Sequence, residues 1–105
     1  MAGRNETAAA LKHDLRRGEI IWVLKQDYPH LVTLRHLQLA LRDRNIPLAA
    51  RDLVGYLSYL EEEGFIRCER CWDEESAQDR ILASALTAKG LLLLDMKITD
   101  PGVRF

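Results

Sequence analysis

The stretch Asn45–Ile66, NIPLAARDLVGYLSYLEEEGFI, decides the fold. Leu53, Leu57 and Leu60 recur at i, i+4 and i+7, one face of an α-helix that starts near Leu48 or Ala49 and ends at Glu63. Gly64 follows three glutamates, where a residue in the left-handed conformation stops a helix. Phe65 and Ile66 then open an apolar strand. Upstream, TLRHLQLALRD predicts a second helix, capped by Thr33 and running to about Arg44, with Leu34, Leu37 and Leu41 on one side. Asn45-Ile46-Pro47 is the turn between the two.

Further out the elements are simple. Glu6 to Arg17 reads as a helix with Ala8, Leu11 and Leu15 on one side, and Gly18 marks a bend or break because glycine costs about 1 kcal/mol against alanine inside a helix. EIIWVLKQDY continues or restarts it. Its apolar run Ile20–Leu24 predicts burial on several sides, and Pro29 ends it. Downstream, FIRCERCW (65–72) is a strand, DEESAQD a polar loop, and Arg80–Leu86 the returning strand. Thr87 caps a last helix, AKGLLLLDMK, and ITDPGVRF leaves as an extended tail turning at Pro101-Gly102. The expected class is mostly α with a β-hairpin, in the order α-α-α-β-β-α. Three segments follow: an N-terminal helical extension (1–17), the main domain (18–97) and the tail (98–105).

A chain of 105 residues, 48% apolar and 30% charged, fits one globular domain with a modest core. No apolar run approaches the roughly 18 residues that span a bilayer. The start MAGRNETAAA lacks the basic-then-apolar order of a secretory signal, so a cytoplasmic location and no membrane partner are expected. The net charge of −1 hides an asymmetry. Residues 1–47 carry eight Lys/Arg against five acids, whereas residues 48–80 carry four arginines against nine acids.

LRRGEIIWVL, TLRHLQLAL, YLSYLEEEGFI and the closing LTAKGLLLL together resemble the winged-helix domains of small bacterial transcription regulators. The resemblance covers roughly residues 18–94. It implies a winged helix whose third helix enters the major groove of duplex DNA, with the second helix and the hairpin, or wing, on the backbone. Turning Leu53, Leu57 and Leu60 inward, at about 100° per residue, leaves Leu48, Arg51, Gly55, Ser58 and Tyr59 outward. Arg51 is the residue among them able to make a bidentate contact to a guanine edge. Thr33, Arg35 and His36, with Arg70 and Arg80 of the wing, are placed for phosphates.

The wing loop departs from that pattern, because Asp73, Glu74, Glu75 and Asp79 stand where a DNA binder offers Lys or Arg. Two functions therefore stay open. One is a DNA-binding regulator; the other is a protein-interaction module whose acidic wing meets a basic partner, with Gly55 giving close access to the helix and Tyr59 as aromatic anchor.

Other features favour bland explanations. Cys68-x-x-Cys71 has no second ligand pair, and residues three apart on a strand face opposite sides, so no metal or cofactor is expected. No Ser/His/Asp grouping or glycine-rich phosphate loop is present, so no enzymatic activity is expected. Trp22 and Trp72 are assigned to core and hairpin packing. The surplus of apolar residues on the terminal helices, Leu11, Leu15, Leu91, Leu92, Leu93, Leu94 and Met96, predicts a homodimer interface.

Overall fold

Ala50–Glu62 forms the helix predicted from the 53/57/60 spacing, and all three leucines are fully buried. The computed structural model describes residues 2–105, with side chains from Ala8 onward. In chain order the elements are α1 (Ala2–Lys25), β1 (Val32–Thr33), α2 (Leu34–Asp43), α3 (Ala50–Glu62), β2 (Ile66–Asp73), β3 (Gln78–Leu86) and α4 (Ala88–Leu94). The three strands make one antiparallel sheet in the order β1-β3-β2. Helices packed at one end of a β-hairpin give a winged helix, as expected. The core gathers Ile20, Ile21 and Leu24 of α1 against Leu37 and Leu41 of α2, the α3 leucines, and Phe65, Ile66 and Leu86 of the hairpin.

Three helices end by the same device. The residue after the cap turns left-handed, and two backbone N–H groups reach back to the last turn, satisfying carbonyls that would otherwise lack partners. For α2 that residue is Asn45 (φ 63°), with Ile46 N–H donating to Leu41. For α3 it is Gly64 (φ 82°), with Phe65 N–H donating to Leu60. For α4 it is Met96 (φ 61°), with Lys97 N–H donating to Leu92. Asparagine and glycine tolerate this conformation; methionine is strained in it. Thr33 and Thr87 cap α2 and α4 as predicted, accepting from His36 N–H and Gly90 N–H. Ala49 caps α3 without a side-chain bond. The start of α3 is instead tied to α2 by Gln38, whose amide donates to the Leu48 carbonyl at 3.0 Å.

Several expectations are corrected. Gly18 does not bend the first helix, which runs unbroken from Ala2 to Lys25. Glycine is needed there for close approach, since a Cβ would collide with the Arg104 carbonyl. Four of the five residues Ile20–Leu24 are buried, but Trp22 is 40% exposed and Trp72 59%, so neither tryptophan is a core residue. The last helix stops at Leu94, not Lys97, and β3 starts two residues before Arg80. β1 was not foreseen, because two residues pairing Val32 with Ser84 and Thr33 with Ala83 leave no periodicity to detect. A bulge also interrupts the hairpin: Glu69 pairs Ala83 and Arg70 pairs Ile81, leaving Leu82 unpaired and exposed.

The tail turns at Pro101-Gly102 but does not leave the domain. Val103 is buried, and Arg104 N–H donates to the Asp14 carbonyl of α1. Arg17 holds the junction, donating to the Gly102 carbonyl at 3.0 Å and to Asp14 at 3.1 Å while its guanidinium covers the Tyr59 ring at 4.1 Å. The Tyr59 hydroxyl donates to Asp100 at 2.7 Å. That bond, helped by burial, pushes the Tyr59 phenol up to about 12. A raised value means that the folded state keeps the proton longer. The stabilisation is full below the unfolded value of about 10 and is lost as pH rises towards about 12. Tyr59→Phe should therefore cost about 1 kcal/mol near neutral pH. Urea unfolding followed up through that window should show the gap between variant and unmodified chain closing; a gap independent of pH would mean that the hydrogen bond to Asp100 contributes nothing.

Candidate nucleic-acid interface

With its leucines buried, α3 turns Arg51, Gly55 and Glu62 fully to solvent, with Ser58 half-buried on the same stripe. A Cβ at Gly55 would meet nothing within 4 Å, so this is the most open point on the helix. Two members of the sequence-predicted outward set lie elsewhere. Leu48 is half-buried against the core, held by the turn that precedes the helix. Tyr59 lies roughly 80° around the helix from Arg51 and is taken up by Asp100, Arg17 and the tail. It is not available as a base contact or as an exposed anchor.

On one flank of this stripe α3 faces the wing across a cleft. Leu34, Val54 and Ile81 form its apolar wall, and Arg51, Asp79 and Arg80 its rim. Two of the wing's three arginines are paired, and Arg67 has no salt-bridge partner among the described residues. Arg70 is paired with Glu61 of α3, so its placement for phosphate is corrected to an internal ion pair. Arg80 lies 3.5 Å from Asp73. The Ser76 hydroxyl bonds to Asp73 at 2.7 Å and, with the Glu75 N–H and Arg80, holds its carboxyl below the usual carboxylate range. Glu74, Glu75 and Asp79 are exposed around it. Asp73 therefore keeps its negative charge near neutral pH.

The start of α2 contributes Thr33, Arg35 and His36, all exposed. The Thr33 oxygen is engaged as the helix cap, yet its hydroxyl proton is still available to an acceptor. Neither Arg35 nor Arg51 is in a salt bridge among the described residues. Arg51 and Arg80 border the cleft between α3 and the wing, and Arg35 is exposed in the first turn of α2.

The residues assigned to subunit contact divide. Leu11, Leu15 and Leu92 are exposed, and Met96 is 76% exposed. Leu93 is 3% exposed and belongs to the core, and Leu91 and Leu94 pack half-buried against it, so Leu93 is removed from the predicted interface. Cys68 is half-buried with its sulfur 3.4 Å from the Ser84 hydroxyl, whereas Cys71 is exposed. Among the described residues no group of three or more His, Cys, Asp or Glu could hold a metal ion, and no helix is long and apolar enough to cross a membrane. Sequence reasoning passed over Arg17 and Asp100. An arginine pair at 16–17 and an Asp-Pro-Gly turn read as surface features until the tail is seen to fold back between them.

Among solved structures, a PadR family transcriptional regulator from Eggerthella lenta DSM 2243 resembles the chain, with a TM-score of 0.56 and 23% identity over 92% of this chain and 84% of that one. At that identity the likeness is one of fold. No family model and no curated protein matches the sequence.

Two outcomes follow from this geometry. Gly55→Ala should raise stability by about 0.5–1 kcal/mol, because an exposed helix-interior glycine is replaced with no steric conflict. Denaturant unfolding measures it, and destabilisation would mean that the helix is distorted at this point. Burial pushes the Cys68 thiol up, so a thiol reagent at neutral pH should label Cys71 first and Cys68 only slowly. Mass spectrometry of the labelled peptides reads the order, and faster labelling of Cys68 would contradict this placement.

Proposed function

We propose that this chain is a DNA-binding winged-helix protein that regulates transcription as a homodimer. One observation carries the proposal: Arg51 stands exposed in the first turns of α3 with no acidic partner among the described residues, and the helix beyond it is opened by Gly55. An unpaired arginine on a convex, unobstructed helix is suited to a guanine edge in a major groove. Arg35 and the α2 N-terminus would lie on the backbone beside it. The Eggerthella lenta protein is described as a transcriptional regulator, and that function is extended to this chain as part of the proposal.

The dimer is argued from the edge formed by α1, α4 and the tail. Leu11 and Leu15 share an α1 stripe with Gly18, over which Phe105 lies, and Phe105 and Met96 flank one apolar groove. Leu92 is exposed nearby on α4. Met96 is notable because it accepts a left-handed backbone while leaving its side chain in solvent. Covering this edge with a second copy would bury the surplus apolar surface. A two-fold arrangement would also present two α3 helices to successive turns of a duplex, about 34 Å apart.

A second function is favoured by one specific feature, the wing. Arg70 and Arg80 are internally paired, its loop is acidic, and Trp72 is 59% exposed beside it. A basic protein partner could use Trp72 as the anchor that Tyr59 does not provide.

Enrichment from a randomised duplex library decides between the two. A DNA-binding regulator should select a motif, and Arg51→Ala should weaken the selected duplex by roughly 1–3 kcal/mol while changing random duplex little. No enrichment and no low-salt binding, even after Asp73, Glu74 and Glu75 are changed to lysine, would replace the DNA function with the partner function. For the dimer, sedimentation should give twice the monomer mass. Leu15→Lys with Met96→Lys should give folded monomers, whereas Leu93→Lys should unfold the chain. A monomer at high concentration in the unmodified protein would remove the dimer.

A further inference from the structure

On the flank of α3 opposite the wing, the geometry points to a second phosphate-binding surface, a cationic cleft between α1 and α3 that takes one strand's backbone while α3 occupies the groove. It is lined by His13, Arg16 and Arg17 of α1 and by Arg51, Asp52 and Gly55 of α3, with Tyr56 at its base. This inference rests on the DNA-binding proposal and assigns the side from which the duplex is gripped.

Tyr56 organises the cleft. Its ring is buried, and its hydroxyl lies 2.6 Å from His13 Nδ1 and 3.4 Å from the Arg16 guanidinium. Arg17 sits 5.7 Å from the same ring. One phenol therefore holds two α1 side chains beside the open face of α3, where both would otherwise be free to swing. His13 keeps Nε2 unengaged among the described residues, and Arg17 Nε is a buried N–H with no acceptor among them.

Charge separates the two flanks. On the wing, Arg70 is paired with Glu61 and Arg80 with Asp73. In the α1–α3 cleft Arg17 is paired with Asp14, but Arg16 and Arg51 have no salt-bridge partner among the described residues. Asp52 lines the cleft without pairing to either. The arginines of the cleft outnumber that one lining acid, and a bound polyanion would supply the balance. Arg51 borders both clefts, so a duplex backbone passing over Gly55 on the α1 side would meet Arg16 and His13 next. The acidic loop would then stand off the other backbone instead of opposing contact everywhere.

The test is anisotropy of a labelled random-sequence duplex, titrated with the full chain over a range of salt. Arg16→Gln should weaken binding about tenfold at roughly 0.05 M salt and about threefold at roughly 0.2 M, lowering the slope of log affinity against log salt by about 0.9. Arg16→Lys should restore most of the slope. Asp52→Asn, on an exposed residue of the same cleft, should tighten binding and serves if Arg16→Gln proves unstable by thermal melting. Lys97→Gln, on the far side of α4, should change neither quantity beyond experimental error. If Arg16→Gln and Asp52→Asn both leave the slope unchanged while the unmodified chain binds the duplex, the α1 surface is wrong and the DNA function stands. If the unmodified chain binds no duplex at low salt, both fall.

Discussion

Burial of Leu53, Leu57 and Leu60 against Ile20 and Leu24 sets the rotation of α3, and that rotation assigns every other side chain on the helix to a neighbour. A helix repeats every 3.6 residues, so once one stripe is fixed inward there is no freedom left for the rest. Arg51, Gly55 and Ser58 must face out; Val54 must face the wing; Tyr56 and Tyr59 must face α1 and the tail. The Gln38 bond to the Leu48 carbonyl and the paired terminal turns of α2 and α3 fix the helix along its axis as well. A candidate interface built on such an element is rigid, which is what base-edge contacts require.

The two flanks of α3 then differ because their partners differ in length and charge. The wing is short, bulged at Glu69/Arg70 and has Arg70 and Arg80 held in ion pairs. Helix α1 is 24 residues long, and Ala8 to His13 are all exposed, so its first half extends beyond the part of the helix that the core covers. The most positive stretch of the protein, residues 1–47, supplies the α1 side of that flank. A whole-chain charge of −1 conceals the arrangement, because most of the acids of residues 48–80 sit on the wing and at the C-terminal end of α3.

The inward face of α3, the caps at Thr33 and Thr87, the stop at Gly64 and the position of the hairpin were legible in the sequence because each rests on local chemistry. What was not legible depends on contacts far apart in the chain. Tyr59 counts as an outward residue until Asp100 and Gly102 return to cover it, and Leu93 counts as surplus until the core around Phe65 is closed. Gly18 reads as a helix breaker by propensity, yet tertiary packing overrides propensity when the Arg104 backbone needs the space. Arg51 and Arg80 were named from helix phase and wing position, and both line the cleft between α3 and the wing. Arg16 and His13 escaped notice because nothing local says that α1 passes beside Tyr56.

Three places keep a residue that local rules disfavour: glycine inside an exposed helix at 55, methionine in a left-handed turn at 96, and arginines without an acidic partner among the described residues at 16 and 51, lining one cleft. Mismatches of this kind are expected where a surface is shaped for a partner and not for the fold itself. Their positions agree with that account. Gly55, Arg16 and Arg51 share the α1–α3 face, where a polyanion would supply the missing countercharge and a close-approaching duplex would use the absent Cβ. Met96 lies instead on the apolar edge with Leu11, Leu15 and Phe105, where a second copy of the chain would cover it. These mismatches thus fall on two surfaces, one cationic and one apolar, and the proposed dimer on DNA would cover both.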